Sequence, residues 1–246
     1  MDSLGNPVRA SALGLVAAAL LAAAGGAGAA LAGTFNADPV HLVLRGTQTS
    51  TPLEITNLDT QALSVRVSAL EWRQENGEDL FSPTTNIIAS PPIFTIAPGE
   101  KQVVRVGLRS QAPGAFYRIL VQEIPSANPK PGSVQFALQM NLPLYRIPND
   151  KAEPRLSWTV RQSPAGEVTV EAANSGAVYA QIYRISMIGR DGKPALLSDK
   201  MGVILPSSVK RWSAGKHPPL AAGSALPLIV KGASGDTEVR ALVEKP

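Results

Sequence analysis

The sequence predicts an all-β protein built from sandwich domains, and three observations predict it. Short runs alternate apolar and polar residues with a period of two, which puts one face of a strand on a core and the other in solvent. Turn residues interrupt these runs about every ten residues. Beyond the first 32 residues no stretch holds a helical period long enough to count. Many short strands with regular turns favour a sandwich.

The first element in order is not a strand. Arg9 precedes ALGLVAAALLAAAGGAGAALAG, an apolar run rich in Ala and Gly that ends in Ala30-Leu31-Ala32, a small-x-small site for signal peptidase. The run is long enough to span a bilayer. Its Gly cluster and Ala-x-Ala end suit removal better than a stable membrane helix, so the expectation is a cleaved signal over 1–32 and an exported chain beginning near Gly33.

The strands follow. PVHLVLRG, TPLEITN, LSVRVSALEW, PPIFTIAPGE, KQVVRVGLR and AFYRILVQEIP are separated by Gly46, Asn57-Leu58-Asp59, Asn76-Gly77, Pro98-Gly99 and Pro113-Gly114. GSVQFALQMNLPLYRIP is the most regular: Val134, Phe136, Leu138, Met140, Leu142 and Leu144 all fall on one face. After Pro148 the chain turns polar through Asn149, Asp150, Lys151 and Glu153 to Pro154, which places a domain boundary between 33–148 and 149–246. RLSWTVRQ, EVTVEAANSG, YAQIYRISMIG, MGVILP, KRWSAG, LPLIVKG and EVRALVEK are the strands of the second part. TPLEITN and VTVEAANSG share a strand followed by an Asn turn, a weak sign of repetition.

Composition removes whole classes of function. With 44% hydrophobic and 17% charged residues among 246, the chain reads as globular. It has no cysteine, hence no disulfide and no thiol nucleophile. A net charge of +4 from scattered bases is too mild to indicate nucleic acid. The two histidines, His41 in a strand pattern and His217 in a loop, have no Gly-x-Ser-x-Gly elbow to serve and no metal-ligand spacing. The reading is of a non-catalytic protein that needs no cofactor and no metal. Ala112-Pro113-Gly114-Ala115 and Pro129-Lys130-Pro131-Gly132 lack phosphate-loop spacing and read as turns.

The segment EWRQENGEDLFSPTTNIIASPPIFTIAPGEKQVVRVGLR, followed by FYRILVQEIP, resembles the periplasmic chaperones of the chaperone-usher pathway that assembles surface pili, and within them the archaic branch. The matching pieces are Glu71-Trp72, Asn86-Ile87-Ile88 with Ser90-Pro91-Pro92, Ala97-Pro98-Gly99-Glu100 with Val104-Arg105-Val106, Tyr117-Arg118, and Glu123-Ile124-Pro125, in that order. The likeness covers the first domain firmly and the second loosely.

The resemblance implies two immunoglobulin-like sandwiches in a boomerang, binding pilin subunits that lack their last strand and passing them to an outer-membrane usher. Such a subunit exposes a groove and unpaired edges. In the family the chaperone lends its own last strand of the first domain, here 133–144. On that likeness Val134, Phe136, Leu138, Met140 and Leu142 form the lending set, the first four being the firmer contacts and Leu142 and Leu144 turning toward the chaperone's own core. Periodicity alone fits an ordinary core face equally well. The family also holds the subunit's terminal carboxylate with basic residues, which fixes register. Arg118 matches that role first. The other positions of the family's anchor fall on His41, able only to assist, and on Pro143. Arg105 reads as pairing within its domain and Arg146 as an interdomain residue; the family's acidic partner falls on Gly114 or Ala115, which leaves its identity open. The loop 126–132 is expected to order on binding, and at least one of the Ser90-Pro91 and Pro91-Pro92 bonds to be cis. Self-association without subunit would hide the same face. A structural or adhesive two-domain sandwich that lends no strand is the alternative.

Overall fold

The computed structural model describes residues 35–110, 116–125, 135–189 and 192–244, and among them every regular element is a strand. The run PVHLVLRG holds one strand, β2 (Leu42–Arg45), shortened at its start by a bend at 39–41; a further strand, β1 (Phe35–Asp38), precedes it and ends at a cis Asp38-Pro39 bond. Pro39 cannot donate to a ladder, so the chain leaves one sheet and enters the other there. His41 therefore lies in that bend, exposed, and not inside a strand.

The first sheet has the order β1-β3-β8-β6, with β3 (Ser50–Asn57), β6 (Ile87–Ser90) and β8 (Lys101–Leu108). The second has the order β2-β10-β9-β4-β5, with β4 (Leu63–Glu75), β5 (Glu78–Pro83), β9 (Phe116–Glu123) and β10 (Gln139–Ile147). β7 (Ile93–Ile96) pairs with β4 alone, as an edge strand should after Pro91-Pro92, and the Ser90-Pro91 bond is cis. Alternate residues of facing strands build one core from Leu42, Leu44, Leu53, Ile55, Val65, Val104, Val106, Ile119 and Leu144. The Asn76-Gly77 turn joins β4 to β5 with φ of 53° and 86°, the left-handed pair that a two-residue hairpin requires.

The remaining strands form one connected path, β14-β13-β17-β18-β11-β12-β16, with β15 on β13. They are β11 (Leu156–Gln162), β12 (Glu167–Asn174), β13 (Ala180–Ile188), β14 (Pro194–Ser198), β15 (Gly202–Ile204), β16 (Ser208–Lys216), β17 (Ala225–Gly232) and β18 (Gly235–Glu244). Residues from both ends of the path share a core, in which Trp158 and Trp212 lie with ring centres 6.1 Å apart. Thus β1–β10 build one pair of sheets and β11–β18 another unit.

A third apolar cluster joins the two units: Trp72, Phe116 and Tyr145 from the first, Val203, Leu205 and Tyr179 from the second. Tyr145 and Tyr179 stack at 3.6 Å. Gln74 Nε2 donates to Val203 O at 2.7 Å, and Leu205 N donates back to Gln74 Oε1 at 2.9 Å. Lys210 Nζ donates to Asp79 Oδ2 at 2.8 Å, and Arg211 reaches Asn76 O at 2.6 Å. Beneath the connecting segment, a Cβ on Gly176 would lie 2.4 Å from Arg155 N and Glu153 O. Only glycine fits where the backbone passes that closely.

Candidate functional site

The site is built on one face and one edge of the second sheet. Arg118 on β9 stands opposite Leu70 of β4 on one side and Pro143 of β10 on the other. Its neighbours Tyr117 and Ile119 point into the core, so Arg118 points outward, toward the cleft between the domains. There its guanidinium lies over the Trp72 ring at 3.9 Å and 5.9 Å from Phe81. Contact with an aromatic face stabilises a cation without using its hydrogen-bond donors. The Nε of Arg118 is buried without a hydrogen-bond partner, and no carboxylate among the described residues pairs with the side chain. Burial lowers its pKa, and Tyr145 and Asp79 oppose that shift. A forked cation, half-buried and held flat on a ring, is suited to a carboxylate.

The edge runs beside it. Glu123 N donates to Leu138 O at 2.9 Å, so even-numbered residues of β10 exchange hydrogen bonds with β9 and odd-numbered ones direct theirs away. Gly46 N donating to Ile147 O at 2.9 Å shows the odd set meeting β2. Because β2 starts opposite Leu144, where its ladder takes up the carbonyl of Pro143, the backbone of Gln139 and Asn141 faces an edge that no strand among the described residues covers. Pro143 itself has no N–H to offer. His41 precedes Leu42, the partner of Leu144, so His41 and Arg118 flank the C-terminal end of this open stretch.

The side chains of the alternating run divide along its length. Phe136 is 59% exposed and Leu138 39% exposed, and neither lies in a strand. Met140 is half-buried against the core, while Leu142 is 4% exposed and Leu144 fully buried. Leu142, placed last in the lending set, thus faces its own core, as the inward turn near the hinge required. Val134, the loop 126–132, Gly114, Ala115 and the leader 1–32 lie outside the described residues.

The other sequence-selected residues fall elsewhere. Arg105 donates to Ser50 Oγ at 3.1 Å within its own domain. Arg146 stands opposite Leu44 in the β2 ladder, and its neighbour Tyr145 supplies the interdomain stack. His217 follows β16 in the second unit, its Nε2 2.9 Å from Ala214 O, and no structural element brings it to His41. No group of His, Cys, Asp and Glu among the described residues could hold a metal. Two motif pieces distant in sequence do meet: Asn86 Nδ2 donates to the Tyr117 hydroxyl at 2.5 Å while Asn86 Oδ1 accepts from Ser110 N at 2.8 Å.

Missed in the sequence are Gln74, Asp79, Tyr179 and Lys210. Asp79 Oδ1 accepts from Trp72 Nε1 at 2.9 Å and Gln74 Nε2 at 2.7 Å, and its Oδ2 accepts from Lys210. Burial alone would raise its pKa; the bonds from Lys210, Gln74 and Trp72 outweigh it and hold the carboxylate below its ordinary range. The Asn-Gly turn carried the signal, since a two-residue hairpin must set Gln74 opposite Asp79 and Trp72 opposite Phe81.

Residues 34–151 match the family described as pili and flagellar-assembly chaperone, PapD N-terminal domain. Residues 34–151 thus carry a PapD-like N-terminal domain, and the solved structures that share the fold are pilus-assembly chaperones. Solved structures with the same fold include the CsuC–CsuE chaperone–tip adhesion subunit pre-assembly complex of archaic chaperone-usher Csu pili from Acinetobacter baumannii. That match has a TM-score of 0.65 at 20% identity and covers 87% of this chain and 99% of that one. The E. coli chaperone DraB matches with a TM-score of 0.59 at 15% identity over 87% and 98% of the two chains. The Salmonella enterica SafA pilin–SafB chaperone complex matches at 0.57 with 13% identity over 86% and 97%. No curated protein matches the sequence significantly. The family is one of two-sandwich chaperones, which accords with the all-β architecture described above.

Proposed function

We propose that this chain is a pilus-assembly chaperone that acts in the periplasm, reached through a cleaved leader, by donor-strand complementation of pilin subunits that it delivers to an outer-membrane usher. The observation that carries the reading is the junction of Arg118 with the open stretch of β10. A carboxylate on Arg118 ends an incoming strand at Pro143, so that strand runs outward beside Asn141 and Gln139, parallel to β10. Its edge is then satisfied by the backbone of β10 while Phe136, Leu138 and Met140 fill its groove. His41 assists at the same end. Two of the structural relatives are chaperones caught with a pilin or tip subunit, which supports a subunit as partner. The exposure of Phe136 and Leu138 supports self-association when no subunit is present. No nucleotide enters the scheme.

The test is co-expression with candidate pilin subunits, comparing the unmodified chain, Arg118→Ala and Phe136→Asp/Leu138→Asp. Recovery of a soluble one-to-one complex only with the unmodified chain is the expected result. Complex formation by both folded variants overturns the assignment, and persistence of the protein in the assembled fibre favours the adhesive alternative.

A further inference from the structure

The contacts that fix Trp72 beneath Arg118 lead into the second domain. The guanidinium rests on Trp72, Trp72 Nε1 is fixed by Asp79, and Asp79 is fixed by Lys210 on β16. Gln74 braces the same carboxylate while bonding Val203 and Leu205 of β15 and the segment after it. Tyr145, 6.2 Å from Trp72, is held from the far side by Tyr179. The whole platform therefore spans the domain interface.

Asp79 is also the acid whose charge reaches Arg118, yet it forms no ion pair with it. Its oxygens are taken by Trp72, Gln74 and Lys210. The arrangement keeps a stabilising negative charge near the guanidinium while leaving the guanidinium's donors for another acceptor. An acid left without Lys210 would compete with any incoming carboxylate for those donors.

We infer that Asp79 is a positioning residue, through which Lys210 of the second domain sets Trp72 and so presents Arg118 to the subunit's terminal carboxylate. The inference rests on Arg118 as the anchor. Its consequence is reciprocal coupling: domain contact strengthens carboxylate capture, and capture strengthens domain contact by the same factor.

The probe is a short synthetic peptide of alternating apolar residues, made once with a free C-terminal carboxylate and once with a C-terminal amide. The readout is the ratio of the two affinities, which a general loss of stability would not change. The unmodified chain is expected to prefer the carboxylate by roughly tenfold or more, the scale of one charge-assisted hydrogen-bond pair. Equal binding of both peptides, or of neither, overturns the anchor reading and this inference with it. Arg118→Ala should bring the ratio to one. Asp79→Asn and Lys210→Met should both reduce it by about threefold to tenfold, with Asp79→Glu restoring part of it. If Arg118→Ala abolishes the preference while folded Lys210→Met and Asp79→Asn keep it whole, the anchor stands and the positioning role is overturned. Lys210→Met, outside the Arg118-bearing domain, decides the question alone should Asp79→Asn fail to fold.

Discussion

The two halves of β10 make different use of one alternating pattern. From Leu144 to Ile147 the strand is paired with β2, Leu144 with β9 as well, and Leu144 is fully buried. From Gln139 to Pro143 it is paired on one side only, and upstream of it Phe136 and Leu138 stand exposed in the same phase. The comparison teaches that one periodic run serves stability at its end and, on the proposed function, recruitment at its start. The burial boundary lies between Met140 and Leu142.

Substitutions should separate the halves. The largest effect on stability is expected from Leu144→Asp, which puts an unpaired charge in the core at a cost of about 4 kcal/mol or more, read from the chemical denaturation midpoint. Leu142→Ala should cost about 3 kcal/mol in the same measurement, since it leaves a cavity, and a value near zero would return Leu142 to the recruiting half. Phe136→Asp/Leu138→Asp should change stability by less than about 0.5 kcal/mol while abolishing the subunit complex, and a large destabilisation would erase the distinction.

A pH series sharpens the comparison at the domain interface. Asp79 has its pKa depressed in the folded state, so its contribution to stability is fully present above the unfolded carboxylate pKa and is lost as pH falls through the folded value. The difference in thermal midpoint between the unmodified chain and Asp79→Asn should stay constant from neutral pH to about pH 4 and close below it. A difference that grows on acidification would contradict the sign. The smallest effect is expected from Pro143→Ala, which adds one edge N–H and should leave the melting temperature nearly unchanged while strengthening self-association by analytical ultracentrifugation.

Much of the fold was legible because burial follows a period of two. β4, β8, β9, β12 and β17 bury alternate residues and stood out as alternating runs. β5 and β6 were missed because neither has a fully buried stripe, and β14 because its burial is confined to its end. The separate strand β1 and the late start of β2 follow from Pro39, which has no donor for a ladder. Arg118 was legible through the Tyr117-Arg118 motif, whereas its platform was not, because Asp79 and Lys210 meet only once two domains are folded and docked. The Asn turns, a weak hint of repetition, prove equivalent in structure. Asn57 Nδ2 donates to Gln61 O at 2.7 Å, and Asn174 Nδ2 donates to Val178 O at 2.8 Å, each side chain buried and each bridging to a carbonyl four residues on.

Pro143 gives the open edge a selectivity of its own. An arriving strand finds carbonyls and amide donors at Gln139 and Asn141 but no donor at Pro143, so one of its own acceptors is left without a match beside Arg118. A generic strand with an internal carbonyl there loses a hydrogen bond and gains little. A chain that ends there offers a carboxylate to the guanidinium instead. On the proposed function the edge is a reader of chain ends: it discriminates against the middle of a polypeptide and accepts its terminus.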